Sequence, residues 1–519
     1  MNADRLLEHF ERISDAPDAV DRLRSLVFTL AHKGRLLADG CKTSWHTTTV
    51  GEVATEIKPG LACAKSHQQA DGCVHLRTHN VATNGRMNFD LLVRVDPRRL
   101  DAEKRGLKKG DILFNNTNSQ ELVGKTCLVH EDNDFAFSNH LTRIRLCNEV
   151  DPAFLVNYFL NLLRTGFFAR LCNRWIGQAG INTTALKAVP LSVPPLAEQH
   201  RIVAKVDELM ALCDRLEAAQ AEREARRDRL VSASLARVTE PHSDDATSMA
   251  PSARFHLDHF ARLTTRPEHV KQLRQTILNL AVRGRLVPQD TRDAPVATLL
   301  TAIASAKAGH AANGRTKTTV RSISQLAGTD VPWPSPTAWA WCRFGDVVIS
   351  RDSERVPVSK EERSTLAKTY DYYGASGVID KLDRFLFDKP LLLIGEDGAN
   401  LVNRSTPIAF MARGKYWVNN HAHVLDGVCE DMLRFLELHI NAIDLKPFVT
   451  GTAQPKMNQA KMNSIPVAIP PLAEQRRIVA KVDELMALCD QLEASLASAA
   501  TDRAQLLEAL LQEALAPAA

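Results

Sequence analysis

One short segment carries thiol and imidazole side chains, which are ligands that zinc prefers. It contains Cys63, His67, Cys73, His75 and His79. The spacings of these residues differ from those of the common zinc modules, so two interpretations stay open. Either the segment forms a zinc site, or these are ordinary loop and strand residues. We predict no metal site in this chain.

Two other motifs have the spacing of catalytic sites. The stretch SQELVGKT has the length of a phosphate-binding loop, but Ser119 stands where that loop requires a glycine to bring backbone amides close to phosphate. Glu56 and Lys58 form an E-x-K pair without a convincing acidic companion. The residues that could do chemistry therefore do not predict an enzyme.

The overall composition limits the classes of structure and function that are possible. A chain of 519 residues exceeds what one hydrophobic core usually serves, so several domains are expected. The net charge of +4 is compatible with nucleic acid binding without requiring it. Ten cysteines without a CxxC pair do not predict a disulfide framework. No apolar run is long enough to span a bilayer, and the N-terminus does not look like a secretory signal, so we expect a cytoplasmic protein.

The chain contains a tandem duplication. PPLAEQHRIVAKVDELMALCDRLEA begins at Pro194, and PPLAEQRRIVAKVDELMALCDQLEA begins at Pro470, 276 residues later. Only His200 against Arg476 and Arg215 against Gln491 differ. The same offset also matches Gln178 with Gln454 and Asn182 with Asn458. This similarity indicates two related halves.

A second set of matches, at an offset of 250, joins the opening segment to the middle of the chain. Leu23 and Arg24 recur as Leu273 and Arg274, and LAHKGRL recurs as LAVRGRL. Between these matched frames the sequences diverge almost completely. We therefore predict five segments: a helical segment 1–44, an insert 45–193, a central conserved region 194–337, a second insert 338–469 and a long helix 470–519.

Each copy of the repeat predicts one long helix. Pro195 and Glu198 suit a first turn, and neither glycine nor proline recurs until Pro241. Apolar residues follow at a spacing of about 3.5, which is typical of a helix that packs along another helix. The simplest partner is the duplicate helix. The predicted pairing residues are Ile202, Val206, Leu209, Cys213 and Leu216 in the first copy, and Ile478, Val482, Leu485, Cys489, Leu492 and Leu496 in the second.

The repeated helix, the stretch ILNLAVRGRLVPQD and the alternation of frames with inserts resemble the specificity subunit of type I restriction-modification enzymes. In the second insert, YYGASGVID, LLLIGEDGAN, KYWVNNHAHVL and GTAQPKMNQ add to the likeness. In the first insert, GDIL, LVGK and NTTALK do so. The resemblance covers nearly the whole chain.

The resemblance implies a two-domain α/β architecture with internal pseudo-two-fold symmetry, in which two long helices form an antiparallel coiled coil. Each insert would be a target recognition domain that reads one half of a bipartite, asymmetric sequence in double-stranded DNA. The helices would set the spacer and bind two modification subunits, which hold S-adenosylmethionine and methylate adenine. Two restriction subunits would complete a restriction enzyme. This chain would bind no cofactor.

The residues agree with a reader of DNA, because the chain lacks the D/N-P-P-Y/F and glycine-rich loops of an adenine methyltransferase. Base edges are read by paired donors and acceptors. In the first insert the candidates are Asn115, Asn116, Asn118, Ser119, Gln120, Lys125, Asn139, His140, Arg143, Gln178 and Asn182. In the second they are Tyr372, Tyr373, Ser376, Asn400, Arg404, Asn419, Asn420, His421, His423, Gln454, Lys456 and Asn458.

Four of these candidates are common to both inserts and cannot encode a difference between two targets. Gln178, Asn182, Gln454 and Asn458 should instead position the backbone or close the insert against the frame. The alternative function is a scaffold without DNA, in which the helical arms dock two identical proteins. We also expect the end of the second long helix to lie near the opening segment.

Overall fold

The computed structural model describes residues 8–37, 45–100, 105–239, 255, 258–312, 323–451 and 454–516. The chain divides into two compact units. One comprises Met1–Glu224 with Ala499–Ala519, and the other comprises Ala225–Ser498. Within the described ranges, no helix is long and apolar enough to cross a membrane.

The helices follow the duplicated order. They are α1 Phe10–Ile13, α2 Ala19–His32, α3 Val50–Val53, α4 Pro152–Arg164, α5 Phe167–Leu171, α6 Thr183–Lys187, α7 Leu196–Thr239, α8 Phe260–Leu263, α9 Pro267–Val282, α10 Val296–Ala312, α11 Phe344–Val347, α12 Lys360–Thr365, α13 Asn400–Asn403, α14 Glu430–Ala442, α15 Gln459–Asn463 and α16 Leu472–Leu515. Short 3-10 turns occupy Lys65–His67, Thr78–Asn80, Pro97–Arg99, Gly328–Asp330, Asp352–Glu354 and Lys446–Phe448.

The strands lie between these helices. They are β1 His46–Thr49, β2 Ala54–Pro59, β3 Gln68–Leu76, β4 Arg94–Val95, β5 Arg105–Leu107, β6 Ile112–Asn115, β7 Thr117–Asn118, β8 Thr126–Leu128, β9 Asn133–Phe137, β10 Leu141–Leu146, β11 Asn173–Trp175, β12 Gln178–Gly180, β13 Pro190–Val193, β14 Ala340–Arg343, β15 Ile349–Ser350, β16 Tyr370–Gly374, β17 Gly377–Leu382, β18 Phe387–Asp388, β19 Leu391–Gly395, β20 Ala409–Ala412, β21 Lys415–Val418, β22 Ala422–Asp426 and β23 Pro466–Ile469.

The two long helices, α7 and α16, each span 44 residues, or about 66 Å at the usual rise per residue. The first begins one residue after Pro195, whose carbonyl accepts hydrogen bonds from the amides of Glu198 and Gln199. The predicted mixture of long helices and two α/β inserts is confirmed.

The two inserts have the same strand topology although their sequences diverge. In the first, one sheet has the order β2-β10-β6-β8 and another has β4-β3-β9-β5. In the second, the corresponding orders are β15-β22-β19-β20 and β17-β16-β21-β18. All of these neighbours are antiparallel except β3 with β9 and β16 with β21, which are parallel. The duplication therefore extends through the inserts, which the sequence alone did not reveal.

Each insert is closed by a two-stranded antiparallel pair. Strand β1 pairs with β13 in the first insert, and β14 pairs with β23 in the second. A short helix, α6 or α15, precedes the closing strand. Asn182 caps α6 by accepting the amide of Ala185 at 2.8 Å, and Asn458 caps α15 by accepting the amide of Lys461 at 2.9 Å. The interpretation that these shared asparagines position the backbone is thus supported by geometry.

Within each unit, the conserved frame makes the same set of side-chain contacts. Arg24 donates to Asp214 at 2.8 Å and to Glu217 at 2.7 Å. At matching positions of the second unit, Arg274 donates to Asp490 and Glu493 at 2.6 and 3.1 Å. The indole Nε1 of Trp45 donates to Glu198, and that of Trp339 donates to Glu474, both at 3.0 Å. These contacts explain why both copies of the frame keep these residues.

The apolar seam of each long helix packs on its own unit. Ile202 and Val206 lie in the first core together with Phe28 and Ala31, which are buried residues of the opening helix α2. The pairing of Ile202 and Val206 with the duplicate helix stays a prediction. Leu209 and Leu216 are half-buried and Cys213 is buried, and their pairing stays a prediction.

The second copy repeats this arrangement. Ile478, Val482 and Cys489 are buried in one cluster with Val270 and Ile277 of α9, and the partly buried Leu485, Leu492 and Leu496 pack against the same cluster. Within this unit the seam therefore packs against α9, and its pairing with the duplicate helix stays a prediction. A short helix explains the 3.5-residue spacing as well as a long one does, since both present a narrow stripe.

The far end of α16 packs on the opening segment, as predicted. Leu507, Leu510 and Leu511 form a core with Ile13 and Ala19. The guanidinium of Arg35 donates to the carbonyls of Leu515 and Ala514, at 2.8 and 3.1 Å, so it also satisfies the last carbonyls of the helix. The terminal residues 1–7 and 517–519 lie outside the described part of the chain.

Candidate nucleic-acid interface

In each insert, several strands end at one surface. We define the first strand-end surface as residues 116–119, 138–140 and 173–178, and the second as residues 375–376, 396–400, 419–421, 450–451 and 454–456. Backbone hydrogen bonds bring these separate segments together. Many of the residues predicted from sequence lie on them.

The backbone shows that the two surfaces are equivalent. At the end of each parallel strand pair, Ser138 N–H donates to the carbonyl of Leu76 at 2.8 Å, and Asn419 N–H donates to the carbonyl of Tyr373 at 3.0 Å. Two residues further along, the carbonyl of His140 accepts from the amide of Asn116 at 3.0 Å.

The same bond in the second insert joins the amide of Glu396 to the carbonyl of His421 at 2.9 Å. The chain then continues alike, because Ile181 N–H donates to Asn116 at 2.9 Å and Met457 N–H donates to Glu396 at 2.8 Å. Therefore His140 corresponds to His421, Asn139 to Asn420 and Asn116 to Glu396.

The exposed predicted residues present their polar groups at or beside these surfaces. They are Asn139, Gln178 and Asn182 in the first insert, and Ser376, Asn420, His421, Gln454, Lys456 and Asn458 in the second. His140 is half-exposed. At two equivalent positions, the turns carry an exposed amide, Asn139 and Asn420. Their role as base contacts stays a prediction.

Other predicted residues shape the turns of the first surface. The side chain of Asn116 donates to the carbonyl of Asn139 at 3.0 Å and to Thr142 Oγ1 at 2.8 Å. Asn118 accepts the amide of Ser119 at 2.8 Å. Gln120 donates to the carbonyl of Ala169 at 3.0 Å. These side chains are only partly free to meet a ligand.

Three predictions in the first insert are wrong, because the side chains are buried. Asn115 is fully buried at the end of β6. Lys125 donates its ammonium to the carbonyl of Thr78 at 2.8 Å, and burial lowers its pKa. Arg143 is 3 % exposed and pairs with Glu56, to which its Nε donates at 2.8 Å. Lys125 and Arg143 are held in the interior by residues remote in sequence, Thr78 and Glu56.

Burial also removes predicted contacts in the second insert. Tyr372 is 1 % exposed, and its hydroxyl accepts the amide of Val358 at 3.1 Å. His423 is 1 % exposed, and its ring nitrogens lie 2.7 Å from Asp352 and 2.9 Å from the carbonyl of Met457. Asn419 is buried, and its side chain accepts the amide of His421.

Three further predicted residues in this insert have local structural roles. Tyr373 is half-buried against Phe410 and Tyr416. Asn400 accepts the amide of Thr406 at 3.1 Å. Arg404 donates to the carbonyl of Asn441 at 3.0 Å and to that of Ile443, so it caps the end of α14. Arg404 is thus removed from the list of base contacts, since its donors are occupied.

Charged groups organise the second surface. Burial alone would raise the pKa of Glu396, but the hydrogen bond from Arg355 at 2.9 Å and the ammonium of Lys456 at 3.2 Å lower it, so the carboxylate is charged. His421 Nδ1 lies 2.8 Å from Asp397. The first surface has Asn116 and Thr117 where the second has these acids, so the two surfaces carry different charged groups on an equivalent backbone.

The other motifs find ordinary structural explanations. Cys63 Sγ lies 3.9 Å from His67 Nδ1, whereas His75 and His79 bond backbone carbonyls and Cys73 donates to the carbonyl of Asp134. Among the described residues, no group of three or more potential ligands is arranged to hold a metal ion. Glu56 of the E-x-K pair binds Arg143.

The sequence missed some residues of these surfaces. Glu396 and Asp397 lie in a stretch whose glycines predict a turn. Only the equivalent hydrogen bonds show that they correspond to Asn116 and Thr117 of the first insert. Trp175 and Ile176 are exposed at the tip of a hairpin formed by β11 and β12. The signal that could have found them is the Ile176-Gly177 turn between two short strands.

A family model for the type I restriction modification DNA specificity domain matches residues 45–225 and 336–500. These two ranges cover both inserts, both strand-end surfaces and the start of each long helix. The chain belongs to this family. The repeated match agrees with the duplicated topology described above.

Individual relatives give the same family. The chain is 27% identical over 365 residues to the EcoEI specificity subunit of a type I restriction enzyme from Escherichia coli. It is 27% identical over 361 residues to the EcoAI specificity subunit from the same species. Both alignments cover 65% of this chain and 60% of the relative, so the chain spans less than two thirds of the relatives that it matches.

One solved structure, described in terms of complex assembly and conformational transition of the type I R-M system, has a related fold. Its TM-score is 0.52 at 16% sequence identity, over 91% of this chain and 97% of the other. At this identity the likeness shows the fold alone.

Proposed function

We propose that this chain is the DNA-specificity subunit of a type I restriction-modification complex, and that each strand-end surface reads one half of a bipartite target. The observation that carries the proposal is the equivalence of the two surfaces. They share backbone geometry down to individual hydrogen bonds, yet the side chains at equivalent positions differ, since Thr117 of the first surface corresponds to Asp397 of the second.

A reader of two different half-sites needs this combination. The common backbone docks each insert on DNA in one way, and the unshared side chains meet different base edges. Exposed amides such as Asn139 and Asn420 are suited to this task, since an amide presents a donor and an acceptor together. A bipartite target that is asymmetric follows from surfaces that differ in charge.

We further propose that the long helices dock two modification subunits and set the spacer between the half-sites. The repeated segment supports this, because its exposed residues recur except at two positions, His200 against Arg476 and Arg215 against Gln491. Leu212 and Leu488 are 45% and 53% exposed at matching positions. Each follows a matching ion pair, Lys205 with Glu208 and Lys481 with Glu484, at 2.8 Å. Two identical exposed surfaces fit two copies of one partner.

Catalysis is assigned to those partners. We propose that S-adenosylmethionine binds to the modification subunits, that two restriction subunits join a complete restriction complex, and that this chain transfers no methyl group itself. The complex would act in the cytoplasm, where it meets the chromosome.

A binding selection tests the proposal. Random duplexes are incubated with the full chain, alone and together with the modification subunit, at a stated salt concentration because phosphate contacts depend on it. We expect enrichment of two short conserved blocks separated by a spacer of fixed length. A pool without an enriched sequence under either condition would reject the proposal and would favour the scaffold without DNA.

A further inference from the structure

The first strand-end surface carries an exposed apolar tip that base-edge reading does not use. Strands β11 and β12 form a hairpin in which Trp175 pairs with Gln178, and Ile176 and Gly177 make the turn. Gly177 adopts φ 77°, in the left-handed region that favours glycine. Ile176 is fully exposed and Trp175 is 61% exposed. Together the two adjacent side chains form an exposed apolar patch, and such a patch is more typical of a binding surface than a single exposed residue is.

The hairpin is built to hold these residues. The ring of Trp175 lies over Gly180, where an added Cβ would come within 2.8 Å of the ring. Glycine at position 180 therefore makes room for the indole, and the indole supports the side of the tip. The hairpin is anchored to the strand-end surface, because Ala179 pairs with Asn118 of β7.

The second insert lacks this feature. At the offset of 276 residues, Lys456 stands at the position of Gly180 and Gly451 at the position of Trp175. The intervening residues Thr452 and Ala453 are small, and they lie outside the described part of the chain. The sequence of the second insert therefore carries no large apolar residue at the positions that correspond to Trp175 and Ile176.

We propose that Ile176 is an apolar wedge, which inserts between base pairs of the first half-site and kinks the duplex there. Proteins that bend DNA use isoleucine, leucine or phenylalanine in this way, and the kink amounts to about 20–90°. The tip lies beside Asn118 and Gln178 on the surface proposed to read DNA, and the neighbouring Arg174 is exposed beside it and can approach phosphate. This inference rests on the proposed function.

The wedge predicts a bend that is confined to one half of the target. The full chain, with its modification subunit, is bound to the duplex obtained by the binding selection, and the bend is located by phased-bend gel mobility. We expect Ile176→Ala to reduce the bend by at least half and to weaken binding roughly tenfold, since one isoleucine side chain is no longer buried. Ile176→Leu should retain both properties, and Ile176→Asn should not.

A matched control removes an exposed apolar residue elsewhere. Leu230 is 50% exposed on α7, and Leu230→Ala should leave the bend unchanged. Because Ile176 makes no core contact, the variants should melt like the wild type. Specific binding by wild type and Ile176→Ala with equal bend and affinity would overturn the wedge while leaving the proposed function intact. If Ile176→Ala no longer binds the modification subunit in the absence of DNA, the wedge is also overturned. A wild-type chain that binds no specific sequence would reject both the wedge and the proposed function.

Discussion

His140 and His421 occupy the same position in two inserts whose sequences are almost unrelated. The carbonyl of His140 accepts the amide of Asn116 at 3.0 Å, and the carbonyl of His421 accepts the amide of Glu396 at 2.9 Å. A constant backbone bond therefore joins residues of different chemistry. This relationship locates where two half-sites could be distinguished, and it makes the following predictions specific to single positions.

The exposed amides at the turns should each affect one half-site. We expect Asn139→Ala to lower affinity for the intact target by about 1–3 kcal/mol and to relax base preference in the first half only. Asn420→Ala should do the same in the second half. Competition binding against duplexes with single substitutions measures this. Equal relaxation of both halves by either variant would argue against separate reading.

A buried residue should behave in the opposite way. Arg143→Ala removes the buried donor to Glu56, while Arg145 remains 3.5 Å from the same carboxylate, so we expect a loss of roughly 2 kcal/mol in stability. Any remaining folded protein should keep the sequence preference of the wild type. Urea unfolding and binding selection check the two halves of this prediction, with Asn139→Ala as the control whose unfolding midpoint stays unchanged. A changed target motif would restore Arg143 as a base contact.

The stability of the second insert should depend on His423. Burial opposes its charged form, but Asp352 and Glu396 raise its pKa, with Arg355 facing the same carboxylates. A histidine with a raised folded pKa stabilises fully below its unfolded value of about 6.5, and this contribution is lost as pH rises through the folded value. Urea midpoints of wild type and His423→Gln should therefore converge as the pH increases from 6 to 9. A gap that widens with pH would contradict this assignment.

The two exposed leucines of the repeat should determine how many modification subunits bind to the chain. We expect Leu212→Asp or Leu488→Asp to reduce the modification subunits bound per chain from two to one, and the double variant to bind none. Native mass spectrometry measures the stoichiometry. Leu230→Asp is the matched control, since it is also exposed on α7 but lies outside the repeated segment. Full stoichiometry in the double variant would place the docking surface elsewhere.

The sequence predicts the frame well because its signals are local. The long helices begin where Pro195 and its copy predict, and Asn182 and Asn458 cap the short helices that precede the closing strands. The topology of the inserts was not predictable, since β3 pairs with β9 across about sixty intervening residues and nothing in either strand announces the other.

The errors among the candidate contacts have one physical cause. Arg143, Tyr372 and His423 have side chains suited to base reading, but each meets a partner that is distant in sequence: Glu56, Val358 and Asp352. Side-chain chemistry is visible in a sequence, whereas burial is decided by tertiary pairing. A stripe of apolar residues likewise does not identify which helix covers it, so the pairing of the α7 seam stays a prediction.

The most direct test of the central claim is a variant that carries two copies of the first insert. Residues 338–469 are replaced by a second copy of residues 45–193. These boundaries are matched, because each insert is closed by an equivalent pair of strands. The variant is expressed with its modification subunit, and the methylome of the host is sequenced. We predict that the asymmetric bipartite motif of the wild type becomes an inverted repeat of its first half. A motif that keeps its original second half, in a variant that still methylates, would contradict the assignment of one half-site to each insert.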